Sequence, residues 1–408
     1  MTRRTPDGVA PAAGGPAPAL WALVLVTGVG PLATDMYVAG LPELRRSLGT
    51  TAAVAQLTLT AFIVGMAVGQ LVIGPLSDAL GRRRLMVVCA ALFAATSVAC
   101  ALAPTGPVLV AVRLVQGVVA GGGVVVGRAV VSDRYVGSAA AARYGTLASI
   151  VFLGPVVAPA VGGVVLAVGS WRSVFGLLAV IGLVMVVAVV VAIPETLPLE
   201  RRHPAGLGQT LRRMADLAGD WLFLRHVVVQ CLATAGFFTY IGGSSFVLET
   251  AYGIGQSTYA AVFATNATAM VLASAGFRLL VGRFGAARLR TVGLLASTAA
   301  AAALLALAVV DRDASVPFVV PWALLCIVVA GMGLCIPGTT ALAQEAGRRA
   351  GGTASALQGG LTFLVGALVT PLTGLVGYDT LLPMAALMAA FVALGTVVLF
   401  ATGSHRRP

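Results

Sequence analysis

The sequence predicts an all-α polytopic membrane protein, with twelve transmembrane helices in two six-helix pseudo-repeat bundles. Three observations carry this. Hydrophobic residues make up 59% of the 408 residues and charged residues only 10%, and the mean hydropathy is +1.00. A soluble domain is usually about 25% charged. The apolar runs are long and unalternated, so the spans are helices and not the short alternating strands of a closed barrel. The loop motifs and arginines recur in two matching halves.

A hydrocarbon core needs about 20 apolar residues as helix. Runs of that size fall near 19–41, 53–76, 85–104, 107–131, 145–168 and 173–194. They resume near 226–248, 257–281, 290–310, 316–340, 354–376 and 381–402. The hydrophilic stretch between the two sets divides the chain into an N-terminal bundle (1–194), a cytoplasmic linker (195–225) and a C-terminal bundle (226–408). In the linker, Leu211, Met214, Leu217 and Leu222 recur at helical spacing. That suits a helix lying along the inner membrane surface or a plain connector.

Orientation follows from the arginines. With the N-terminus inside, twenty-one of them lie in inner segments or inner span ends. Four lie outside (Arg45, Arg46, Arg172, Arg312), and Arg113 is left within the fourth span. Both termini are therefore expected in the cytoplasm, with the chain in a bacterial cell membrane. Arg3 and Arg4 before the first run resemble a signal peptide, but the length of that run implies an uncleaved start.

Composition excludes several functions. The net charge is +12, but it is not clustered on one tail or face, so no nucleic-acid partner is expected. All 26 basic residues are Arg. Without lysine there is no Walker loop and no Schiff-base chemistry. The five cysteines lie in apolar runs, odd in number and without metal spacing, and read as small buried hydrophobes. His203, His226 and His405 form no paired motif. "GGSS" (242–245) is not a nucleophile elbow. No cofactor and no metal are called for, and the chain is expected to work as a monomer.

One charge stands out. "GVGPLATDMYVAGLP" (28–42) holds Asp35 in an otherwise apolar first span. A mid-span charge costs about 2.5–3.5 kcal/mol on insertion scales and marks a functional site by default. Arg113 is its candidate partner. Asp35 lies seven residues before Pro42 and Arg113 six after Pro107, so both sit roughly 9–11 Å from their outer span ends. Equal depth permits contact, directly or through water. The pair then either carries the coupling proton, forms a structural ion pair, or has Arg113 orient Asp35 without titrating.

The halves echo each other: "LSDALGRRRL" (76–85) after the second span, "LVGRFGAARL" (280–289) after the eighth. Gly74 and Gly81 allow close approach and a tight turn. Asp78 ends the second span beside Arg82, and Asp133 at the inner end of the fourth span is a further acceptor. The fifth span carries Gly154, Pro155, Pro159, Gly162 and Gly163, the pattern of a kinked, closely packed helix.

"GPLSDALGRRR" (74–84) resembles the loop between spans two and three of the major facilitator superfamily. With "TDMYVAGLP" (34–42), "RLVQGVVAGGG" (113–123), "GPVVAPAVGG" (154–163) and "PETLP" (194–198), the chain resembles the Bcr/CflA drug-resistance subfamily, the bicyclomycin- and chloramphenicol-type exporters. The resemblance implies the major facilitator fold and a proton-coupled antiporter that exports small amphipathic or hydrophobic compounds, antibiotics among them. It implies an Asp78–Arg82–Asp133 clamp on the inner side, and a fifth-span motif that seals the outer contact of the halves. Gly282 replaces the aspartate in the second loop, which therefore locks less firmly. Gln116, Tyr240, Asn266 and Gln358 lie on expected central faces, each either a candidate substrate contact or an interhelical hydrogen bond, while Glu249 and Glu345 are expected to face water. The rival readings are a same-fold transporter of a natural metabolite, a channel and a membrane-bound enzyme.

Reporter fusions should place residues near 210 and the C-terminus inside and residues near 312 outside; a reporter at 210 reading outside contradicts this topology.

Overall fold

The computed structural model describes residues 17–202, 207–254, 256–311, 315–376 and 380–401. Arg3, Arg4, Arg312, Arg406, Arg407, His203 and His405 lie outside the described residues, as do the side chains of Pro155, Pro159 and Glu249. The helices are α1 (Leu20–Asp35), α2 (Leu41–Ser47), α3 (Ala52–Leu80), α4 (Arg82–Ala101), α5 (Gly106–Arg134), α6 (Gly137–Val168) and α7 (Trp171–Ala192). They continue as α8 (Leu207–Gly219), α9 (Trp221–Ala251), α10 (Gln256–Phe284), α11 (Ala286–Val310), α12 (Val319–Ala346), α13 (Gly351–Val376) and α14 (Leu381–Ala401). Among the described residues, α3, α4, α5, α7, α9, α10, α11, α12 and α14 are each long and apolar enough to cross a membrane. With α1, α6 and α13 they occupy the positions of the predicted spans, and the fold is the twelve-helix one. The short α2 and α8 are the remaining helices; α8 lies in the linker.

The first span ends earlier than its apolarity suggests. It was expected to run to residue 41, but α1 stops at Asp35 and a 3-10 turn, Val38–Gly40, precedes α2. Pro42 opens α2 and has no N–H with which to continue the ladder. Gly40 N instead donates to Tyr37 O at 2.8 Å. Asp35 is thus the last residue of a helix beside a break.

The chain forms two compact units. One comprises Met1–Arg143, Leu153–Gly219 and Gly347–Gly360; the other comprises Tyr144–Phe152, Asp220–Ala346 and Leu361–Pro408. Each unit repeats one set of pairings. In the first, α1, α3 and α4 pack on α5, and α4 packs on α7. In the second, α9, α10 and α11 pack on α12, and α11 packs on α14.

Glycine makes the closest of these contacts. A Cβ on Gly65 or Gly69 of α3 would run into the main chain at Leu114 or Val118 of α5. A Cβ on Gly117 or Gly121 would meet the carbonyls of Phe62 or Met66. The four-residue spacing on both helices is the small-xxx-small pattern by which helices in lipid gain van der Waals contact. Gly293 of α11 and Gly331 of α12 meet likewise in the second unit.

Overpacking usually costs about 1–3 kcal/mol, and here the obstacle is backbone. Gly117→Val and Gly121→Val should lower folded yield and Tm in detergent. Gly276→Ala, with nothing within 4 Å of the added carbon, should not. Equal Tm values for all three would contradict the α3–α5 seam.

Candidate functional site

The α3–α5 seam sets the position of Arg113, one turn before Gly117. Its side chain is fully buried. Nη2 donates to Ala33 O at 3.0 Å, Nη1 to Gln116 Oε1 at 2.7 Å, and Nε to Thr58 O at 3.4 Å. The guanidinium lies 4.1, 4.7 and 5.6 Å from the ring centroids of Phe62, Tyr37 and Phe175, within cation–π range. The last carbonyls of any helix lack intrahelical donors. Ala33 O is one of these in α1, so Arg113 caps the C-terminus of α1, where a cation also complements the helix dipole.

Arg113 does not pair with Asp35. The two share a level, because the guanidinium bonds the carbonyl two residues before Asp35. However, the ion pairs of the described residues include Arg82–Asp78, Arg82–Asp133 and Arg202–Glu195, and none of these involves Asp35 or Arg113. The half-buried Asp35 carboxylate has no hydrogen-bond or ion-pair partner among the described residues. The direct contact allowed by equal depth is therefore not formed, because Arg113 is committed to carbonyls and rings.

Gln116 makes an interhelical hydrogen bond. It is fully buried; its Oε1 accepts from Arg113, and its Nε2 donates to Ser97 Oγ at 2.7 Å. It braces Arg113.

The fifth-span glycines hold the end of α1. A Cβ on Gly154 would strike the Pro31 ring, and one on Gly162 would strike the Met36 carbonyl. Gly163 has nothing within 4 Å of that position. Gly162 thus fixes the backbone next to Asp35.

A second cluster lies where α3 turns into α4. Gly81 has φ +94°, in the left-handed region that favours glycine. The turn brings Asp78, Arg82 and Asp133 together. Arg82 Nη2 meets Asp78 Oδ1 at 2.7 Å, and Nε meets Asp133 Oδ2 at 3.0 Å, with all three side chains buried. Asp78 also binds the start of α13. Gly352 N donates to Oδ1 at 3.0 Å, and Thr353 N and Oγ1 each donate to Oδ2 at 2.9 Å. A carboxylate at a helix N-terminus meets free N–H groups and the positive end of the dipole.

Below this latch α3 and α13 touch through small residues. A Cβ on Gly74 would meet Gly352 O and Ala356 Cβ, and one on Gly360 would meet Leu71. Gln70, on the same face of α3, is fully buried against Gly359. Neither its Oε1 nor its Nε2 has a hydrogen-bond partner among the described residues.

The other candidates sit apart. In the second unit, Asn266 Nδ2 donates to Tyr240 Oη at 3.1 Å, and Trp322 Nε1 donates to Asn266 Oδ1 at 3.2 Å. The Tyr240 ring stacks on Phe263 at 6.1 Å. Tyr240 and Asn266 are thus brought together, but both are buried. Gln358 is buried in α13 in the first unit. In the second loop Gly285 repeats the turn with φ +76°, but Gly282 is exposed and Arg283 and Arg288 lie by the Phe284 ring. The second loop has no counterpart of the Asp78 latch among the described residues. Sequence reasoning missed Glu195, Thr196, Thr353 and Gln70. Only Glu195 and Thr196 carried a signal, inside the "PETLP" motif.

Two units with one repeated pairing scheme define the two-bundle class of membrane transporters. A family profile described as Major Facilitator Superfamily matches residues 23–371. The chain belongs to the major facilitator superfamily; it is a multi-pass membrane transporter of small molecules and not an enzyme. It is 33% identical over 384 residues to the uncharacterized MFS-type transporter YdgK of Bacillus subtilis (strain 168), covering 93% of each. It is 27% identical over 371 residues to a bicyclomycin resistance protein homolog of Haemophilus influenzae, covering 91% of this chain and 92% of that one. It is 29% identical over 264 residues to the multidrug resistance protein MdtL of Escherichia coli O157:H7, covering 65% and 66%. These relatives support the Bcr/CflA-like subfamily. Among solved structures, FucP in the outward conformation matches with TM-score 0.74 and 14% identity over 93% of this chain and 97% of that one. The proton:xylose symporter XylE matches with TM-score 0.71 and 14% identity over 94% and 95%. At that identity both speak for the fold alone.

Losing one partner of a buried ion pair generally costs about 3–5 kcal/mol. Asp78→Asn should therefore slow transport by more than about tenfold, a 1.4 kcal/mol effect, with a smaller change in abundance. Gly81→Leu should do the same through strain at positive φ. Wild-type turnover in both, at normal expression, would show that the cluster does not govern transport.

Proposed function

We propose that the protein is a proton-coupled antiporter that exports small amphipathic or hydrophobic compounds, antibiotics among them, across the cytoplasmic membrane by alternating access. The observation that carries this reading is the Asp35 carboxylate. It stands at the end of a membrane helix, half-buried and without a partner among the described residues, while the neighbouring cation is committed elsewhere. A carboxylate without a fixed counterion can take up and give back a proton without first breaking an ion pair. An intramembrane acid marks a functional site by default, and proton relay is one of the roles such acids play.

The named relatives supply the cargo class. The bicyclomycin resistance homolog and MdtL cover most or two-thirds of the chain, and their names speak of drug resistance. On this reading Arg113 holds the end of α1 in place so that Asp35 keeps its environment. The Asp78–Arg82–Asp133 cluster acts as the inner gate, since a transporter that alternates access must break the bonds from Asp78 to α13 in each cycle. The half-buried rings of Phe263 and Trp322, backed by the buried Tyr240–Asn266 pair, supply aromatic surface for cargo, and both termini lie inside.

A susceptibility panel in an efflux-deficient host, with and without a protonophore, identifies a transported drug. Asp35→Asn should insert normally, because it deletes a charge that is expensive in lipid. It should abolish proton release from purified protein on adding that drug, and abolish efflux from energised vesicles, while some drug binding persists. Proton release and export at wild-type rates would place the coupling elsewhere.

A further inference from the structure

The first residues after α7 make a set of contacts that neither the fold nor the coupling carboxylate requires. Glu195 reaches the start of α4. Its Oε1 accepts from Arg82 N at 2.9 Å, and its Oε2 accepts from Arg83 N at 3.3 Å. Those are the first two N–H groups of α4, which have no partner inside the helix. The same carboxylate accepts from Thr196 N and Leu197 N at 3.0 Å each, which ties its own turn. It pairs with Arg202 at 3.4 Å, and Arg202 Nε in turn donates to Leu197 O. Thr196 is buried, and its Oγ1 donates to Asp133 Oδ2 at 3.0 Å, the very oxygen that receives Arg82 Nε. On the far side of the loop, a Cβ on Gly81 would strike Glu195 Oε2 and the Arg202 guanidinium. Glycine at this turn therefore leaves room for the strap as well as for the positive φ.

We propose that Glu195 and Thr196 are positioning residues of the inner gate: the strap after α7 closes the N-terminus of α4 and holds Asp133, so that Arg82 stays seated between Asp78 and Asp133. This deepens, and rests on, the reading of the Asp78 cluster as a gate. Three features support it. Arg82 is both the first residue of α4 and the cation of the cluster, so fixing its backbone N–H fixes the origin of its side chain. Thr196 occupies a lone pair of Asp133 and orients that carboxylate toward Arg82. The strap is also the first part of the connector, and Glu195 is its bond to the start of α4.

Asp78 is not contacted by the strap; it is held by Arg82 and the start of α13. Loosening the strap therefore weakens the arm of the gate formed by Asp133. It leaves the bonds from Asp78 to α13 intact until Arg82 departs.

The test reads gate opening directly and needs neither drug nor proton. The native cysteines are buried or half-buried and are replaced to give a cysteine-free parent. Ala356→Cys is then introduced at the fully buried contact with Gly74, and its labelling by a membrane-impermeant maleimide is timed in inside-out vesicles. Glu195→Gln keeps the size but removes the charge, and Thr196→Val removes only the hydroxyl. Each should raise the labelling rate several-fold, and together by about tenfold or more, at unchanged abundance. Glu43→Gln is the control. Glu43 Oε2 accepts from Trp171 N at 3.0 Å and so caps α7 in the same manner without touching the gate; its labelling rate should stay at that of the parent. Labelling by Thr196→Val and Glu195→Gln at the parental rate overturns the proposal, as does an equal rise in Glu43→Gln. If Glu195→Gln does not fold, Thr196→Val decides alone. Failure of Asp35→Asn to abolish coupling would overturn the antiport reading and leave this result standing.

Discussion

The capping of α1 by Arg113 is the interaction on which the site depends. A guanidinium fully removed from solvent must find acceptors, and here it finds three oxygens and three aromatic rings and no carboxylate. The acceptors come from α1, α3 and α5 itself, so Arg113 ties three helices at one level. It can reach them only because Gly65, Gly69, Gly117 and Gly121 let the α3 and α5 backbones touch. Gln116 and Ser97 extend the network into α4. On the proposed reading the consequence for function is indirect: the cation at that level is already committed, and the carboxylate at the end of α1 has no counterion among the described residues.

The Arg82 cluster is built on the opposite principle. Arg82 is buried with two carboxylates in place of none, and Asp78 adds the N-terminus of α13 to its partners. Buried ion pairs stabilise little on balance, because desolvation offsets attraction, yet breaking one by removing a partner is costly. Such a cluster is suited to defining a state rather than to holding a fold.

Much of this was legible in the sequence. Hydropathy located the spans because lipid forces backbone bonds inside each segment. The "LSDALGRRRL" loop declared itself because positive φ at Gly81 and charge at a helix end leave fixed residue types at fixed spacing. Other parts were not legible, for physical reasons. The end of α1 at Asp35 depends on Pro42 and a 3-10 turn, and both neighbours are as apolar as a continuing helix. Equal depth of Asp35 and Arg113 was readable, but side-chain direction was not; the guanidinium follows carbonyls that every residue possesses. Helical spacing could not decide between the two roles of Gln116, because it does not distinguish a face toward α4 from one toward a substrate path. The partner of Asp78 on α13 is a pair of backbone N–H groups and one threonine, 274 and 275 residues away, which leave no mark in composition.

The account's central claim is that Arg113 is a structural cap and Asp35 a lone carboxylate. The most direct measurement compares the thermal unfolding of Asp35→Asn and Arg113→Gln in lipid nanodiscs at neutral pH. The account predicts an asymmetry: Arg113→Gln lowers Tm, since α1 loses its cap and the cluster its centre, whereas Asp35→Asn leaves Tm at or above that of the parent. If Asp35→Asn lowers Tm as much as Arg113→Gln, the two residues form a buried pair in the membrane, and the claim is contradicted.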